Sequence, residues 1–334
     1  MYQESSPCII CNDCNTEKIS KEGSYTHGDI YFCKDCQLRF INPLPNDKIL
    51  KQAYDGLYSN REIFDKIDIH KRDITRKAFS GYLSKINKLN LGPYKSFLDV
   101  GGGLGYYSEA AQYNNLTSTL LDIDKQSIEF AKDKNKIHNI YNINLDEFVN
   151  NIKLKFDIVF FRHVIEHVTD PDSIISNLEK CLNPNGLLII ETPNNNSIEL
   201  IFRPRILLST FRNHKKKYPQ DSLFKFIRKK IYAVRPPYHL YSFRISNLEK
   251  LMITNGLNPV SSVNYMIGDK TYWPNSSKTD IAFVMKYLTK LKLKLFFISA
   301  IDVIFYPFRL IFHHFGFSCG ICIYAQKNRM EDEP

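Results

Sequence analysis

The sequence lacks the features that mark several specialised classes of protein. The first eight residues hold no basic stretch followed by an apolar run, so we expect no secretory signal. No segment repeats with a period of 20–50 residues, which argues against solenoids and propellers. Hydrophobic residues make up 43% and charged residues 24% of the 334 residues, which excludes disordered and collagen-like chains. We therefore expect a globular, cytoplasmic protein of one large domain with additions, or of two domains.

Long uninterrupted apolar runs are also missing. The most apolar stretch, 295–317, is broken by Asp302, Pro307 and Arg309, whereas a membrane-spanning helix requires ~20 nearly uninterrupted apolar residues. We therefore predict no span. Two alternatives remain open for this stretch: a pair of buried helices, or a helix that lies in the membrane interface and makes the protein peripheral to the inner face of the membrane.

Acidic residues are scarce in one segment. Residues 203–235 contain eleven Lys and Arg but a single acid, Asp221, while the rest of the chain carries 34 charges of each sign. The formal charge of +10 therefore comes from this segment, and it predicts an anionic partner. A phosphorylated small molecule, an anionic membrane and RNA are the candidates. No recognised RNA-binding module is present, so nucleic acid is not expected.

Helical patterns at Ile198–Thr210 and Leu223–Ala233 carry this basic segment. They leave two alternatives open: a solvated helical face, or a lid over 195–238 whose basic side chains bind a phosphorylated substrate. Arginine suits bidentate contact with phosphate. The arginines singled out for that role are Arg203, Arg205, Arg228 and Arg235.

Eight cysteines are too few for a disulfide scaffold of this length, but four of them form two C-x-x-C pairs. The pairs are Cys8 with Cys11 and, after 21 residues, Cys33 with Cys36. Two such hairpins deliver four thiolates to one tetrahedral Zn²⁺, which would stabilise a unit too small for a core. The prediction is a structural zinc ribbon over 1–45. An iron–sulfur cluster and a metal-free site remain as alternatives.

Short apolar strands alternate with amphipathic helices from residue 96 onward. This alternation predicts an α/β fold with a doubly wound, mostly parallel sheet. A helix over 246–255 with Ser246 as its N-cap follows, then strands at 257–265 and 320–326 that close the sheet. The predicted strands are Phe97–Val100, Thr119–Asp122, Asn139–Ile143, Phe156–Phe161 and Gly186–Glu191; the predicted helices are 106–113, 125–135, 146–151 and 171–182. The expected organisation is a zinc-binding segment at 1–45, a helical lead-in at 46–93 and a main domain at 94–334 with a helical insertion at 270–318.

A glycine-rich turn follows the first predicted strand of the sheet. Gly101, Gly103 and Gly105 have the spacing G-x-G-x-G, which lets the chain turn sharply and lets a ligand approach the backbone. The next strand ends in Asp122, where such folds place a carboxylate that accepts hydrogen bonds from ribose hydroxyls. We expect Asp124 to cap the following helix and Asp122 to be the ribose ligand.

Six motifs in this order resemble the class I S-adenosylmethionine-dependent methyltransferases. The resemblance spans about 97–260, and more narrowly the chain is similar to bacterial members with an N-terminal zinc-binding segment that act in cell-surface sugar or secondary-metabolite pathways. The motifs are Asp99-Val-Gly-Gly-Gly-Leu-Gly105, the Asp122 strand, Phe156-Asp-Ile-Val159, Val164-Ile-Glu-His-Val168, Leu182-Asn-Pro-Asn-Gly186 and Glu191-Thr-Pro-Asn194.

The resemblance implies a Rossmann-like sheet of seven strands with S-adenosylmethionine at the carboxyl ends of the first strands. It implies that Asp99 and the three glycines of the turn surround the methionine and ribose parts, and that Asp122 binds the ribose hydroxyls. Ile123 would pack on the adenine, and Asn144 or Asp146 lies where the family often has an acid for the adenine amino group. Arg162 and His163 would line the methionine end.

Transfer of a methyl group to a hydroxyl also requires a general base, for which imidazole is well suited. His239 is the first candidate, because the resemblance places a histidine near the reaction centre there, and His163 is the second. A reaction without a side-chain base remains open. His163 and His167 are four residues apart, which predicts that they share one helical face, with Glu166 nearby. Glu166 and His167 belong to a motif found across the family, which favours a scaffolding role.

The leading hypothesis is methylation of a hydroxyl on a nucleotide-linked or lipid-linked sugar in cell-surface polysaccharide biosynthesis. The alternatives are an RNA methyltransferase, a methyltransferase of a small molecule such as a secondary metabolite or quinone, and a non-catalytic binding protein on the same fold. The expected cofactors are S-adenosylmethionine and structural Zn²⁺, and the expected partner is a phosphorylated sugar or another small-molecule acceptor.

Overall fold

The computed structural model describes residues 7–13, 15–19, 28–46, 48–50, 69–217, 219–224, 226–227, 238–265 and 304–328. Their strands are β1 (Thr16–Lys18), β2 (Asp29–Cys33), β3 (Arg39–Asn42), β4 (Ser96–Val100), β5 (Thr117–Leu121), β6 (Asn139–Tyr141), β7 (Phe156–Arg162), β8 (Leu182–Pro193), β9 (Tyr241–Ser242), β10 (Leu257–Tyr265) and β11 (Gly320–Lys327). Their helices are α1 (Ile69–Lys88), α2 (Tyr106–Tyr113), α3 (Lys125–Asp133), α4 (Leu145–Glu147), α5 (Pro171–Lys180), α6 (Pro204–Lys217), α7 (Ile245–Thr254) and α8 (Tyr306–His314).

Seven strands form the main sheet, in the order β10-β11-β8-β7-β4-β5-β6. The five strands from β4 to β8 run parallel, while β11 lies antiparallel between β8 and β10. The parallel strands are apolar on both faces, since Phe97 and Leu98 of β4 are both fully buried, as expected when helices cover both sides. The predicted doubly wound α/β fold is therefore confirmed.

The local predictions succeed best where a strand or helix carries its own signals. The helix predicted at 106–113 and the strand predicted at 257–265 are found with those bounds. The N-cap predicted at Ser246 is wrong: α7 begins at Ile245, and Arg244 is the N-cap. The Asn247 side chain accepts a hydrogen bond from the Arg244 N–H at 2.9 Å, so a residue inside the helix supplies the cap.

The predicted helical lead-in is described in its second half. α1 places Ala78, Tyr82 and Ile86 on one buried stripe with a spacing of four residues. Tyr82 and Ile86 of this stripe pack in the same apolar cluster as Phe97 of β4 and Ala110 of α2. Residues 51–68, which include the tyrosines at 54 and 58, lie outside the described residues.

The cysteine-bearing segment forms a second, antiparallel sheet in the order β1-β2-β3-β9. Three of its strands come from the first 45 residues, but the fourth, Tyr241–Ser242, comes from the distant part of the chain that follows His239. The boundaries predicted at 45 and 93 remain a prediction. The described parts of the cysteine-bearing segment and of the main domain nevertheless share a sheet and an apolar cluster, so they pack together.

The basic segment differs from its prediction in two respects. The helix expected at Ile198–Thr210 is instead a 3-10 turn at Glu199–Phe202 followed by α6 at Pro204–Lys217, because Pro204 begins a new helix. Arg203 is buried, so it does not belong to a solvent-facing phosphate grip. Asp221, the single acid, is also buried and lies 2.7 Å from His214. Residues 228–237, with Arg228 and Arg235, lie outside the described residues.

The apolar stretch near the C-terminus is described from residue 304. Within α8, Arg309 is buried while Phe308 and Ile311 are 50% and 53% exposed, which does not fit the alternative of a buried helix. Most of the predicted insertion at 270–318 lies outside the described residues. Among the helices that the structure describes, none has the length and apolar character needed to cross a bilayer.

Candidate active site

The glycine turn lies at the carboxyl end of β4, which lies between β7 and β5 in the main sheet. Gly101, Gly103 and Gly105 all have positive φ, at +68°, +54° and +71°, a region that disfavours residues with a side chain. A Cβ on Gly101 would lie 2.6 Å from a methyl group of Val164, so glycine is also required there by close packing. A Cβ on Gly103 would meet no atom within 4 Å, which leaves open space beside the backbone of the turn.

Asp99, predicted to surround the cofactor, lies beneath this turn. Its carboxylate accepts hydrogen bonds from the N–H and the hydroxyl of Ser108, at 3.1 and 2.9 Å. Burial raises the pKa of the Asp99 carboxyl to about 7, against the opposing effect of these two hydrogen bonds. Asp99 therefore ties the end of β4 to the first turn of α2 and fixes the shape of the loop.

Asp122 stands where the ribose ligand was predicted, directly after β5. One carboxylate oxygen accepts from the Gly103 N–H at 2.7 Å, and the other accepts from the Asp124 N–H at 2.8 Å. Burial raises the pKa of the Asp122 carboxyl above its ordinary value. The next residue, Ile123, is 73% exposed, so it presents an apolar surface beside the carboxylate. Asp124 caps α3 by accepting from the Ser127 N–H, as predicted.

Asn144 and Asp146, placed near the adenine by resemblance, have local partners. The side chain of Asn144 accepts from the Glu147 N–H at 2.8 Å and so caps α4. The carboxylate of Asp146 accepts a hydrogen bond from the side chain of Asn177 on α5. Asn142 donates to the backbone oxygen of Asp122 at 2.9 Å and thereby joins this loop to the one after β5. A contact of Asn144 with the cofactor remains a prediction.

The segment after β7 begins with an unusual backbone conformation. His163 has φ of +55°, and the 3-10 turn Ile165–His167 follows it. The prediction that His163 and His167 share one helical face is therefore wrong, because the left-handed residue and the tighter turn replace the helix. His163 instead lies between two buried carboxylates, with ring nitrogens 3.3 Å from Glu166 and 3.4 Å from Glu191.

Those two carboxylates keep His163 protonated at neutral pH. Burial lowers the pKa of its imidazole, but hydrogen bonds with Glu166 and Glu191 outweigh burial and raise the pKa to about 9. Burial likewise opposes ionisation of Glu191, yet the charges of Arg162 and His163 lower the pKa of its carboxyl to about 2. A protonated imidazole cannot accept a proton, so His163 does not suit the role of general base near pH 7.

The sequence reasoning did not single out Glu191 and Tyr82 as site residues. Glu191 also accepts a hydrogen bond from Arg162 at 2.9 Å and one from the Tyr82 hydroxyl, which α1 delivers from the lead-in. A signal for Glu191 existed: it is an acid that closes an otherwise apolar stretch of β8, beside the carboxyl end of β7. Tyr82 gave no such signal, because its position on α1 is equally typical of a core residue.

His239 lies against the other side of the Glu166 turn. Its ring contacts that of His167 edge to face, with centroids 4.8 Å apart, and His167 Nδ1 lies 2.8 Å from the backbone oxygen of Tyr238. Ligand atoms of Glu166, His167 and His239 lie within 4.8 Å of one another. Glu166 also accepts from the Thr192 hydroxyl at 2.9 Å. The structure therefore brings both predicted base candidates and the Glu166 carboxylate to one edge of the sheet.

Replacing His163 by Asn should remove a pH-dependent part of the stability. The folded protein holds the His163 proton up to a pKa of about 9, against 6.5 ordinarily, so its stabilising effect is complete below pH 6.5 and is lost as pH rises through 9. The difference in free energy of unfolding between wild type and His163→Asn should therefore shrink between pH 6 and pH 9.5, measured by urea denaturation. Asn tolerates the positive φ. A constant difference over this pH range would contradict the prediction.

The four cysteines predicted to bind metal are close together. Sγ of Cys8 lies 3.4 Å from that of Cys36, and Sγ of Cys11 lies 3.5 Å from that of Cys33. Tetrahedral zinc with Zn–S bonds of ~2.3 Å places sulfur atoms about 3.8 Å apart, so the cluster fits that ion after a slight expansion. All four are free thiols, and Cys322, predicted to be a core residue, is buried in β11. The metal itself remains a prediction.

The fold and this edge together define an α/β protein whose candidate ligand site lies at the carboxyl ends of parallel strands. The family described as "Methyltransferase domain" matches residues 73–262, which is more than half of the chain and includes the five parallel strands of the main sheet. This chain belongs to that methyltransferase family.

Curated relatives match a shorter stretch. A protein named ubiquinone biosynthesis O-methyltransferase from Pelagibacter ubique is 33% identical over 108 residues, which cover 31% of this chain and 45% of that protein. One with the same name from Actinobacillus pleuropneumoniae is 35% identical over 109 residues, which cover 30% of this chain and 46% of that protein. The chain thus spans under half the length of these relatives.

Solved structures give more distant similarities. A S-adenosylmethionine-dependent methyltransferase from Clostridium acetobutylicum is 10% identical with a TM-score of 0.45, covering 83% of this chain and 99% of that one. A SAM-dependent methyltransferase from Archaeoglobus fulgidus is 15% identical with a TM-score of 0.45, covering 81% of this chain and 99% of that one. These similarities assign no substrate to this chain.

Proposed function

We propose that this protein transfers a methyl group from S-adenosylmethionine to a hydroxyl group of a small organic molecule, with His239 as the general base. The observation that carries the proposal is the packing of Gly101 against Val164. It puts the ligand-binding turn directly beside the segment of His163, Glu166 and His167, and hence beside His239. The glycine turn that we expect to bind the cofactor and the histidine that we propose as proton acceptor therefore lie side by side at one edge of the sheet.

The residues of the turn fit S-adenosylmethionine. The open space at Gly103 admits the ligand to the backbone, the Asp122 carboxylate has the acceptor chemistry for two ribose hydroxyls, and the exposed Ile123 offers an apolar surface for the adenine. When bound, the cofactor supplies an electrophilic methyl group on a sulfonium. The protein's part is then to hold the acceptor in line with that methyl group and to take up its proton.

His239 suits the second task better than His163 does. With cofactor and acceptor bound, His239 would take up the proton that the acceptor hydroxyl loses when it is methylated. Glu166, next to His167 and His239, favours the imidazolium formed in that step, because burial strengthens the attraction between opposite charges. His163, already protonated between Glu166 and Glu191, instead holds the edge of the site together.

The relatives, more than the charge, support the proposed acceptor class. The curated relatives named above are O-methyltransferases of ubiquinone biosynthesis, which supports the small-molecule alternative over the sugar hypothesis. The prediction of a nucleotide-linked or lipid-linked sugar has no finding behind it. Of the arginines that were to hold its phosphate, Arg203 is buried, and Arg228 and Arg235 lie outside the described residues.

The test is a methyl-transfer assay with purified full-length protein and radiolabelled S-adenosylmethionine. The acceptors are a panel of catechols and other phenols, and a second panel of nucleotide-linked sugars. We expect label to appear on an oxygen of one or more phenolic acceptors and S-adenosylhomocysteine to form in equal amount. Transfer only to the sugar panel would replace the acceptor class, while cofactor binding without transfer to any acceptor would support the non-catalytic alternative.

A further inference from the structure

We propose that the cysteine-bearing unit of β1, β2 and β3 is a positioning element for His239, so that metal bound to its four cysteines controls the rate of methyl transfer and not cofactor binding. The inference rests on the proposed role of His239. It goes beyond that role, because it assigns a catalytic purpose to a metal site that is remote in sequence from the reaction centre.

The backbone beside His239 is held from two sides. The Ile41 N–H, in β3, donates to the Leu240 oxygen at 3.0 Å, and the Leu240 N–H donates to the Glu166 oxygen at 2.7 Å. The pairs Arg39 with Ser242 and Phe40 with Tyr241 continue the ladder between β3 and β9. Residue 240 thus bridges the cysteine-bearing sheet and the turn that carries the Glu166 carboxylate. A shift of β3 would be passed directly to His239.

Side chains reinforce the same junction. The Asn247 amide donates to the Cys36 oxygen at 2.8 Å, which ties α7 to one of the cysteines. The Arg39 guanidinium donates to the Asn195 oxygen at 2.7 Å, and the Asn195 amide donates to the Gln37 oxygen at 2.7 Å. The Asn195 N–H in turn donates to the Phe243 oxygen at 2.8 Å, just beyond β9. The turn between β2 and β3 is therefore fixed to the elements on either side of β9.

The metal would act on the hairpin that makes this junction. Cys33 is the last residue of β2, and Cys36 lies three residues before β3, so this cysteine pair forms the turn of the β2–β3 hairpin. Cys8 and Cys11 approach that turn from the segment that leads into β1, so the four thiolates join that segment to the turn at one point. Small units of this kind depend on the ion for their order. Loss of the ion would therefore loosen β3, and with it the segment 238–243.

The experiment compares zinc-loaded protein with protein treated with a chelator and with Cys11→Ser, in the full chain. Metal content is measured by mass spectrometry, backbone mobility by hydrogen–deuterium exchange of peptides covering 238–243, and cofactor affinity by calorimetry. Without metal we expect faster exchange in 238–243, a kcat lower by about 10-fold or more, and a dissociation constant for S-adenosylmethionine within about threefold of wild type. Addition of Zn²⁺ to the chelated protein should restore both exchange and kcat.

A zinc-retaining variant keeps the proposal testable if metal loss unfolds the protein. Arg39→Ala leaves the cysteines intact and weakens the junction, so it should show the same pattern to a smaller degree with a full complement of zinc. Lys34→Ala is the control on the same hairpin turn, since its partner is the exposed Glu17, and it should change none of these quantities. Unchanged exchange in 238–243 after metal loss, or a parallel loss of cofactor affinity, would overturn the proposal. A fully active His239→Ala variant would instead refute the proposed function, and the exchange data would still report on the junction.

Discussion

The His239→Ala variant is expected to lose about 10²–10⁴-fold in kcat while it binds S-adenosylmethionine as tightly as the wild type. The loss is that of a positioned general base. We expect cofactor binding to be spared because the residues proposed to hold the ribose, Gly103 and Asp122, are fixed by their own hydrogen bond. Steady-state kinetics with the best phenolic acceptor and calorimetry with the cofactor measure the two quantities. His239 is half-buried, so its removal leaves no large cavity in the core.

Two controls distinguish loss of a base from loss of structure. His138→Ala removes an exposed histidine next to the amino end of β6, at the opposite edge of the sheet, and should leave kcat unchanged. Added imidazole should restore part of the rate of His239→Ala by supplying a proton acceptor from solution. A variant that keeps its full rate would show that no base is needed at this position.

The Asp122→Ala variant is expected to bind S-adenosylmethionine at least about 100-fold more weakly. Hydrogen bonds to a charged group contribute about 1.5–3 kcal/mol each, and the variant would lose those with two ribose hydroxyls. It would also lose the hydrogen bond from the Gly103 N–H, which holds the glycine turn in place. Calorimetric titration with S-adenosylmethionine and with S-adenosylhomocysteine measures the change.

Asp124 provides a matched control two residues away. Its carboxylate caps α3 through the Ser127 N–H and has no contact with the glycine turn, so Asp124→Ala should cost about 1 kcal/mol of stability and leave cofactor affinity unchanged. Thermal denaturation of both variants separates the two effects. Equal weakening of cofactor binding in the two variants would show that the loop after β5 acts as a whole and that Asp122 is not the specific ligand.

The sequence predicted the main sheet well because each of its parts has a local signal. Each of these signals involves only a few neighbouring residues. Examples are the apolar strand before Gly101, the cap at Asp124 and the proline that begins α5. The order of such signals along the chain, strand then helix, is sufficient for a parallel sheet because its crossovers have one hand. The same rule brings Asp122, at the end of β5, close to Gly103, after the end of β4.

The parts that sequence reasoning missed depend on contacts between distant residues. The left-handed conformation of His163 results from its place between Glu166 and Glu191, and a histidine in isolation shows no preference strong enough to predict it. The pairing of β3 with β9 joins segments about 200 residues apart, and a strand of two residues gives no periodic pattern. The proposed control of His239 by the cysteines was therefore invisible before the fold was known.

The position of β11 has a consequence for how the protein is made. Its inward side chains, such as Ile321 and Ile323, are fully buried, and it is inserted between β8 and β10, both of which leave the ribosome earlier. At synthesis rates of roughly 5–20 residues per second, the edge of β8 waits roughly 7–27 s for the end of its partner. During that interval a long apolar strand has an open edge, the kind of surface on which nascent chains aggregate. We therefore expect the need of the newly made protein for chaperones to depend on β11 and not on the cysteine-bearing unit.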